Sequence, residues 1–204
     1  MKHLIVCADP NSNGFCRKIV TTLVETLQEA KKEVVVRNLY DLKFDPVLSE
    51  ADLLIISKED AMADVKEEQE QIQDASVVTF VYPVWWLGAP AILKGYFDRV
   101  FSQGFAYSVG AKGLERGLEG KRAVVINIMG AQEESYEKKG FIEAMCKTTD
   151  VGILNYVGFE VIEHVYFGSI SSADEKTKQE YLEEVKRIGE KMTTVGVTPE
   201  PDFW

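Results

Sequence analysis

Short apolar runs recur along the chain, and each ends in polar or glycine-containing punctuation. Residues 3–8 form the first, Val34-Val35-Val36 with Leu39 the second, residues 77–82 the third and residues 123–129 the fourth. A fifth, residues 161–167, alternates so that Glu163 and His164 fall on opposite faces. Runs this short predict strands, and near-continuous apolarity predicts strands buried on both faces. Helical spacing lies between them. Phe15, Ile19, Leu23 and Leu27 recur every four residues, so a helix starts near residue 14. In residues 63–74, Val65, Gln69 and Ile72 share one side of a very polar segment, which reads as a solvated surface helix. After Pro90, apolar residues at 92, 93, 96, 97, 100 and 101 make a stripe wider than a core-facing helix needs. That width predicts burial of part of the stripe against a second subunit. Residues 141–156 read as a further helix. Ser172 with Glu175 reads as a capping box before a stripe of Tyr181 or Leu182, Val185, Ile188, Met192 and Val195.

Other stretches carry weaker signals. Residues 41–49 read as a structural loop covering an edge of the sheet. Residues 50–62 have no clear pattern. Gly104, Gly110, Gly113, Gly117 and Gly120 mark a flexible connection. Strands alternating with helices imply an α/β fold, a doubly wound five-stranded parallel sheet flanked by helices. Residues 1–196 form a single domain on this reading, and 197–204 a tail without pattern. Right-handed crossovers gather the loops 9–16, 83–88 and 128–136, after the first, third and fourth strands, on one edge. Ligands of open α/β sheets bind at that edge.

Composition narrows the function. The chain has 204 residues, 46% hydrophobic and 27% charged, with a formal net charge of −10, as suits an ordinary globular domain. Without a basic block, nucleic acid and anionic membrane surfaces are not expected partners. No apolar stretch approaches spanning length, and the opening run is too short for a leader. Cys7, Cys16 and Cys146 form no CxxC pair, which points to a reducing compartment and a cytoplasmic location. No His/Cys/Asp grouping has zinc or iron spacing, so no metal is expected. His3 and His164 read as structural histidines on strands. A G-x-S-x-G elbow is absent, as is G-x-G-x-x-G after the first strand.

The candidate chemistry lies in residues 80–107. A buried strand empties through Pro83 and Val84 into Trp85-Trp86-Leu87-Gly88, and the turn feeds a helix at Pro90. Two adjacent tryptophans in a turn are hard to bury together and offer flat faces to a planar heterocycle. The polar loop before Phe15 and Cys16 exposes backbone N–H groups at a helix start, a natural anion site. Tyr136 has a phenol able to donate toward a developing negative charge, and Tyr107 reads as a pocket or packing aromatic.

The stretch from Pro83 to Tyr107, with P-A-I-L-K-G-Y-F-D-R-V-F and G-F-A-Y, resembles the NAD(P)H:quinone oxidoreductases of the flavodoxin-like superfamily nearly letter for letter. The resemblance implies a flavodoxin-like fold, a bound flavin (FAD, with FMN possible), NAD(P)H as a transient co-substrate and quinones or similar flat aromatic acceptors. It also implies a homodimer. The flavin would be held by Phe15 and Cys16, by Pro83, Val84, Trp85, Trp86 and Leu87, and by Ile128, Met129, Gly130, Ala131 and Tyr136. Tyr136 and Tyr107 take the catalytic positions. Pro10, Asn11 and Phe15 match the phosphate loop, whereas Asp9, Gly14 and Cys16 stand where the family has His, Ser and Asn. Gly130, Tyr136 and Gly140 match a second loop. Ile142 replaces a histidine and Val109 a tyrosine, so the pocket should be more apolar, with altered substrate preference or a slower rate. Two other readings stay open within the same superfamily: a flavin-binding regulatory subunit of a potassium efflux system, and a flavodoxin-like electron carrier.

Overall fold

Each of the five apolar runs forms a strand of one parallel sheet in the computed structural model, which describes residues 1–58, 60–111 and 113–194. In chain order the elements are β1 (Lys2–Cys7), α1 (Phe15–Glu29), β2 (Glu33–Asn38), α2 (Glu50–Ile56), α3 (Ala63–Asp74), β3 (Val77–Pro83) and α4 (Ala91–Val100). The chain continues through β4 (Tyr107–Gly110), β5 (Gly113–Arg116), β6 (Arg122–Ile128), α5 (Glu133–Glu137) and α6 (Phe141–Cys146). A π-helical segment (Lys147–Asn155), β7 (Glu160–Phe167) and α7 (Glu175–Thr194) complete it. The sheet order is β2-β1-β3-β6-β7, so the winding reverses between β1 and β3. The tail from residue 197, and Val195 of the last stripe, lie outside the described residues.

Strand alternation divides the interior into two layers. Leu4, Val6, Phe80, Tyr82, Ala123 and Val125 face one core together with Leu93, Tyr96, Phe97 and Val100 of α4. Ile5, Cys7, Val77, Val81, Val124 and Ile126 face the other, closed by Ile19 and Leu23 of α1 and Val185 and Ile188 of α7. Among the described residues no helix is long and apolar enough to cross a membrane.

Several expectations are corrected. The wide stripe of α4 needs no second subunit: Ile92, Leu93, Tyr96, Phe97, Val100 and Phe101 are all buried within the chain. The loop after β2 helps to cover α4 rather than a sheet edge, with Phe44 5.3 Å from the Tyr96 ring and Pro46 packed against Gly95. The patternless residues include α2, whose Ser49 and Asp52 form a reciprocal capping box. The glycine-rich connection includes a β-hairpin, Tyr107 pairing with Arg116 and Ser108 with Glu115. The polar α3 is no solvated rod. Glu68 is buried against Arg37, and Gln69 donates to the Val100 carbonyl at 3.1 Å. Asp174, not Ser172, caps α7, accepting from the Thr177 amide at 2.8 Å.

One buried histidine sets a pH limit. His3 is fully buried on β1, and neither ring nitrogen has a hydrogen-bond partner among the described residues. Burial, then the positive charges of Lys32 and the N-terminus, lower its pKa from 6.5 to about 4. The folded state therefore favours neutral His3, and the unfolded chain takes the proton first. This contribution to stability is whole above pH 6.5, falls as pH drops toward 4, and is lost below that. The full loss is about 3 kcal/mol. Urea unfolding across this window should show the decline in the native chain, and His3→Leu should remove that component. An equal acid slope in the variant would refute the assignment.

Candidate active site

At the carboxyl edge of the sheet three loops meet, after β1, β3 and β6. The β3–α4 loop is a tight turn in which Trp85 and Gly88 exchange N–H to carbonyl hydrogen bonds, both 3.0 Å. Its two central residues, Trp86 (φ 52°) and Leu87 (φ 62°), are left-handed. Such turns favour Asn-Gly because large L-side chains cost roughly 1–2 kcal/mol each in this conformation. Here the strain presents apolar surface to solvent. Trp86 is 102% exposed and Trp85 43%, with Leu87 beside them. Strained, exposed aromatics at a strand end suit a ring-binding wall. Pro83 is buried beneath the turn, and the Val84 amide donates to the Ile128 carbonyl at 2.9 Å, tying the turn to β6.

The β1–α1 loop is built from nested turns. Asp9 accepts from the Asn11 amide at 2.9 Å, Asn11 accepts from the Asn13 amide at 3.1 Å, and the Gly14 amide donates to the Asn11 carbonyl at 2.9 Å. Asp9 is buried and points inward. A Cβ at position 14 would lie 2.9 Å from its Oδ2, and the Cys16 thiol hydrogen-bonds to it. The three departures at 9, 14 and 16 are thus one packing unit. Burial first, then the Asp9 charge, push the Cys16 thiol far above its ordinary range, so it stays protonated. Phe15 and Cys16 turn their side chains into the core and leave only backbone N–H groups for a ligand.

Helix α1 is open to an anion. Gly14 supplies no side-chain cap, and its first turn holds no acid. Arg17 and Lys18 stand there instead. Arg17 bonds Asp41 at 2.7 Å, while its Nε is buried without a partner among the described residues. A cavity of about 550 Å³ runs from Ser12 and Gly14 past Arg17 and Lys18 to Thr21, Thr22 and Leu182. Uncapped amides, a cation with an unused donor and open space fit the phosphates of a nucleotide.

The β6–α5 loop offers a polar edge. Met129 donates its amide to the Phe167 carbonyl and accepts from the Ile170 amide, and its side chain is buried. Ile128 is likewise core. Gly130 and Ala131 are exposed, and their amides have no acceptor among the described residues. Tyr136 is half-buried, 6.0 Å from the Phe141 ring, in a small cluster with Val84, Met129, Met145 and Ile142. Ile142 therefore sits in the same cluster as Tyr136 and adds an apolar side chain there. Tyr107 is not part of this group. It packs edge-on to Tyr156 at 5.6 Å and lines a separate groove of about 160 Å³ with Phe97, Phe101 and Ile153.

Sequence reasoning missed Arg17, although a basic residue one turn into a helix after a polar loop was a readable signal. It also missed a second group of chemistry-bearing residues, Cys146, Asp150 and His164, which the fold brings together.

A parallel sheet wound in this order, with an uncapped helix start and a ring-presenting turn on one edge, defines a nucleotide-binding α/β protein. The family described as flavodoxin-like fold matches residues 1–190, and the chain belongs to it. A Haemophilus influenzae protein named an uncharacterized NAD(P)H oxidoreductase is 36% identical over 185 residues, covering 90% of this chain and 91% of the relative. NAD(P)H dehydrogenase [quinone] 1 of Cavia porcellus is 33% identical over 182 residues, 79% of this chain and 66% of that longer one. Among solved structures, an NAD(P)H:quinone oxidoreductase from Methanothermobacter marburgensis superposes with a TM-score of 0.85 at 30% identity, covering 94% of this chain and 98% of the other.

Proposed function

We propose that the protein is a flavin-dependent NAD(P)H:quinone oxidoreductase. The observation that carries this is the strained turn of Trp86 and Leu87, which holds an exposed tryptophan beside the open start of α1. Held by the residues named below, a flavin would supply two-electron hydride chemistry between NAD(P)H and a flat acceptor such as a quinone. The protein's part is binding, orientation and electrostatics. Arg17 and the amides of Phe15 and Cys16 hold phosphate oxygens. Trp85, Trp86 and Leu87 wall the ring plane and keep water off it. The amides of Gly130 and Ala131 and the Tyr136 phenol donate to the ring's polar edge, where negative charge gathers on reduction. The wall selects flatness, so aromatic nitro and azo compounds are further acceptors.

FAD is favoured over FMN because the cavity continues along α1 beyond Arg17 to Thr21, Thr22 and Leu182, space that a second nucleotide half would use. We also infer a homodimer through the α4 groove, where Tyr107 lies beside exposed Val109 and Tyr156. On this reading Tyr107 acts from a shared interface. A cytoplasmic location suits three free cysteines.

The visible spectrum of the purified protein, taken anaerobically before and after NADPH, tests the function, with the released cofactor identified by mass. Flavin bands should bleach quickly and return on adding a quinone. Sedimentation of the same preparation should give twice 22.9 kDa. Bands that stay oxidised would favour the regulatory-subunit or carrier reading. A colourless protein that takes up neither FAD nor FMN would remove the site altogether.

A further inference from the structure

We infer that Cys146, Asp150 and His164 form a binding site for a zinc-class divalent cation, next to the cluster that holds Tyr136 and Ile142. One ligand atom from each lies within 4.8 Å of the others. Cys146 ends α6, Asp150 follows four residues on in the π-helical segment, and His164 faces them from β7. Isolated π-helical turns in proteins mark functional positions more often than ordinary helix does.

The arrangement chelates rather than relays protons. In a thiol–imidazole–carboxylate triad the thiol and the carboxylate sit on opposite ring nitrogens. Here both address the same one. His164 Nδ1 is 2.9 Å and 3.0 Å from the two Asp150 oxygens and 3.9 Å from the Cys146 Sγ. The other nitrogen, Nε2, is 2.9 Å from the Asn127 Oδ1. Asn127 is held in turn by its Nδ2, which points to the Tyr82 carbonyl at 3.5 Å. With Nε2 facing that amide oxygen, as the outer nitrogen of a metal-bound histidine does, Nδ1 is the nitrogen placed to ligate an ion that displaces its proton.

A phenol oxygen lies beside these three ligands. The Tyr166 Oη lies 3.4 Å from the Cys146 Sγ and 3.5 Å from His164 Nδ1, with its ring stacked on the imidazole at 4.4 Å. Around tetrahedral zinc, bonds of about 2.0–2.3 Å place ligand atoms roughly 3.3–3.8 Å apart, so the Asp150 oxygens, 2.9 and 3.0 Å from Nδ1, must draw back as the ion enters. Thiolate and imidazole select zinc, cobalt or copper over magnesium or calcium. On binding, the Cys146 thiol proton leaves to solvent and the sulfur electron pair forms the bond. The ion would tie the π-helical segment to the last strand. The sequence hides this site because its ligands are separated by four and fourteen residues.

Titration of the full-length reduced protein with Co²⁺, then competition with Zn²⁺, tests the site. One equivalent should produce thiolate-to-cobalt charge-transfer absorption with tetrahedral visible bands, and Zn²⁺ should abolish both. Cys146→Ser should lose the charge-transfer band. Asp150→Asn, which keeps the thiol, should retain the band while weakening affinity by about 100-fold. The other cysteines, Cys7 and Cys16, are fully buried, so they do not compete. No band in the native protein, or a band that survives Cys146→Ser, would overturn the proposal, as would equal affinity in the native chain and Asp150→Asn. None of these readouts depends on bound flavin.

Discussion

Replacing Arg17 by glutamate will yield protein that folds but purifies without flavin. Arg17 stands at the open start of α1 with one nitrogen on Asp41 and its Nε without a partner among the described residues. Nothing else in the first turn caps the helix, since Gly14 has no side chain and no acid lies there. A charge-assisted hydrogen bond contributes about 1.5–3 kcal/mol, roughly 10- to 150-fold in affinity. Reversal also sets a carboxylate against phosphate and beside Asp41, so the expected loss exceeds about 100-fold. Arg17→Gln should fall between. The flavin-to-protein ratio after purification and the dissociation constant from flavin fluorescence measure it, with circular dichroism to confirm folding. Native affinity in Arg17→Glu would move the phosphate site elsewhere.

The strands were legible because burial on both faces writes itself as unbroken apolar runs, as in residues 77–82 and 123–129. The site edge was legible for a related reason. Two tryptophans between Pro83 and Gly88 cannot both hide, and Trp86 is fully exposed. What stayed hidden depends on partners distant in sequence. Glu68 looks like a solvent-facing residue until Arg37, 31 positions before it, comes beside it, and the place of Gln69 beside Val65 and Ile72 has no polar partner until Val100, 31 positions after it, accepts its amide. The hairpin in the glycine-rich connection is defined by pairing across a turn, which glycine content does not specify. The breadth of the α4 stripe was read as an interface because nothing local reveals that α2, α3 and the loop after β2 already cover that helix. Asp9 looked unfavourable near a phosphate because its inward orientation, with its carboxylate on the Asn11 amide, appears only in three dimensions.

The same distant covering makes Arg99 the most consequential structural residue. It is 5% exposed on α4 and binds three segments at once. Its Nε and Nη2 donate to Asp52 of α2 at 3.1 and 2.9 Å, and its Nη1 to the Asp45 carbonyl at 2.8 Å and to Asp64 of α3 at 2.6 Å. Arg99→Leu leaves Asp52, itself 5% exposed, charged and without a cation. Removing one partner of a buried pair costs about 3–5 kcal/mol, a large part of a domain's stability. Asp64 contributes little to this, because its half-exposed carboxylate regains water. Burial alone would raise the Asp52 pKa, but hydrogen bonds from Ser49 and Arg99 outweigh it and hold it below 3.8. In the native chain that contribution is present above 3.8 and lost as pH falls through the lower, folded value. Without Arg99 two of the influences that lower the Asp52 pKa are gone while burial still raises it, so the variant has less of this stability to lose in acid. Urea unfolding at neutral pH should show the full deficit. The gap between Arg99→Leu and the native chain should narrow as the pH is lowered, and adding Asp52→Asn should recover most of it. A deficit below about 1 kcal/mol, or one that widens in acid, would mean that apolar packing rather than this ion pair fixes α2 and α3 on α4.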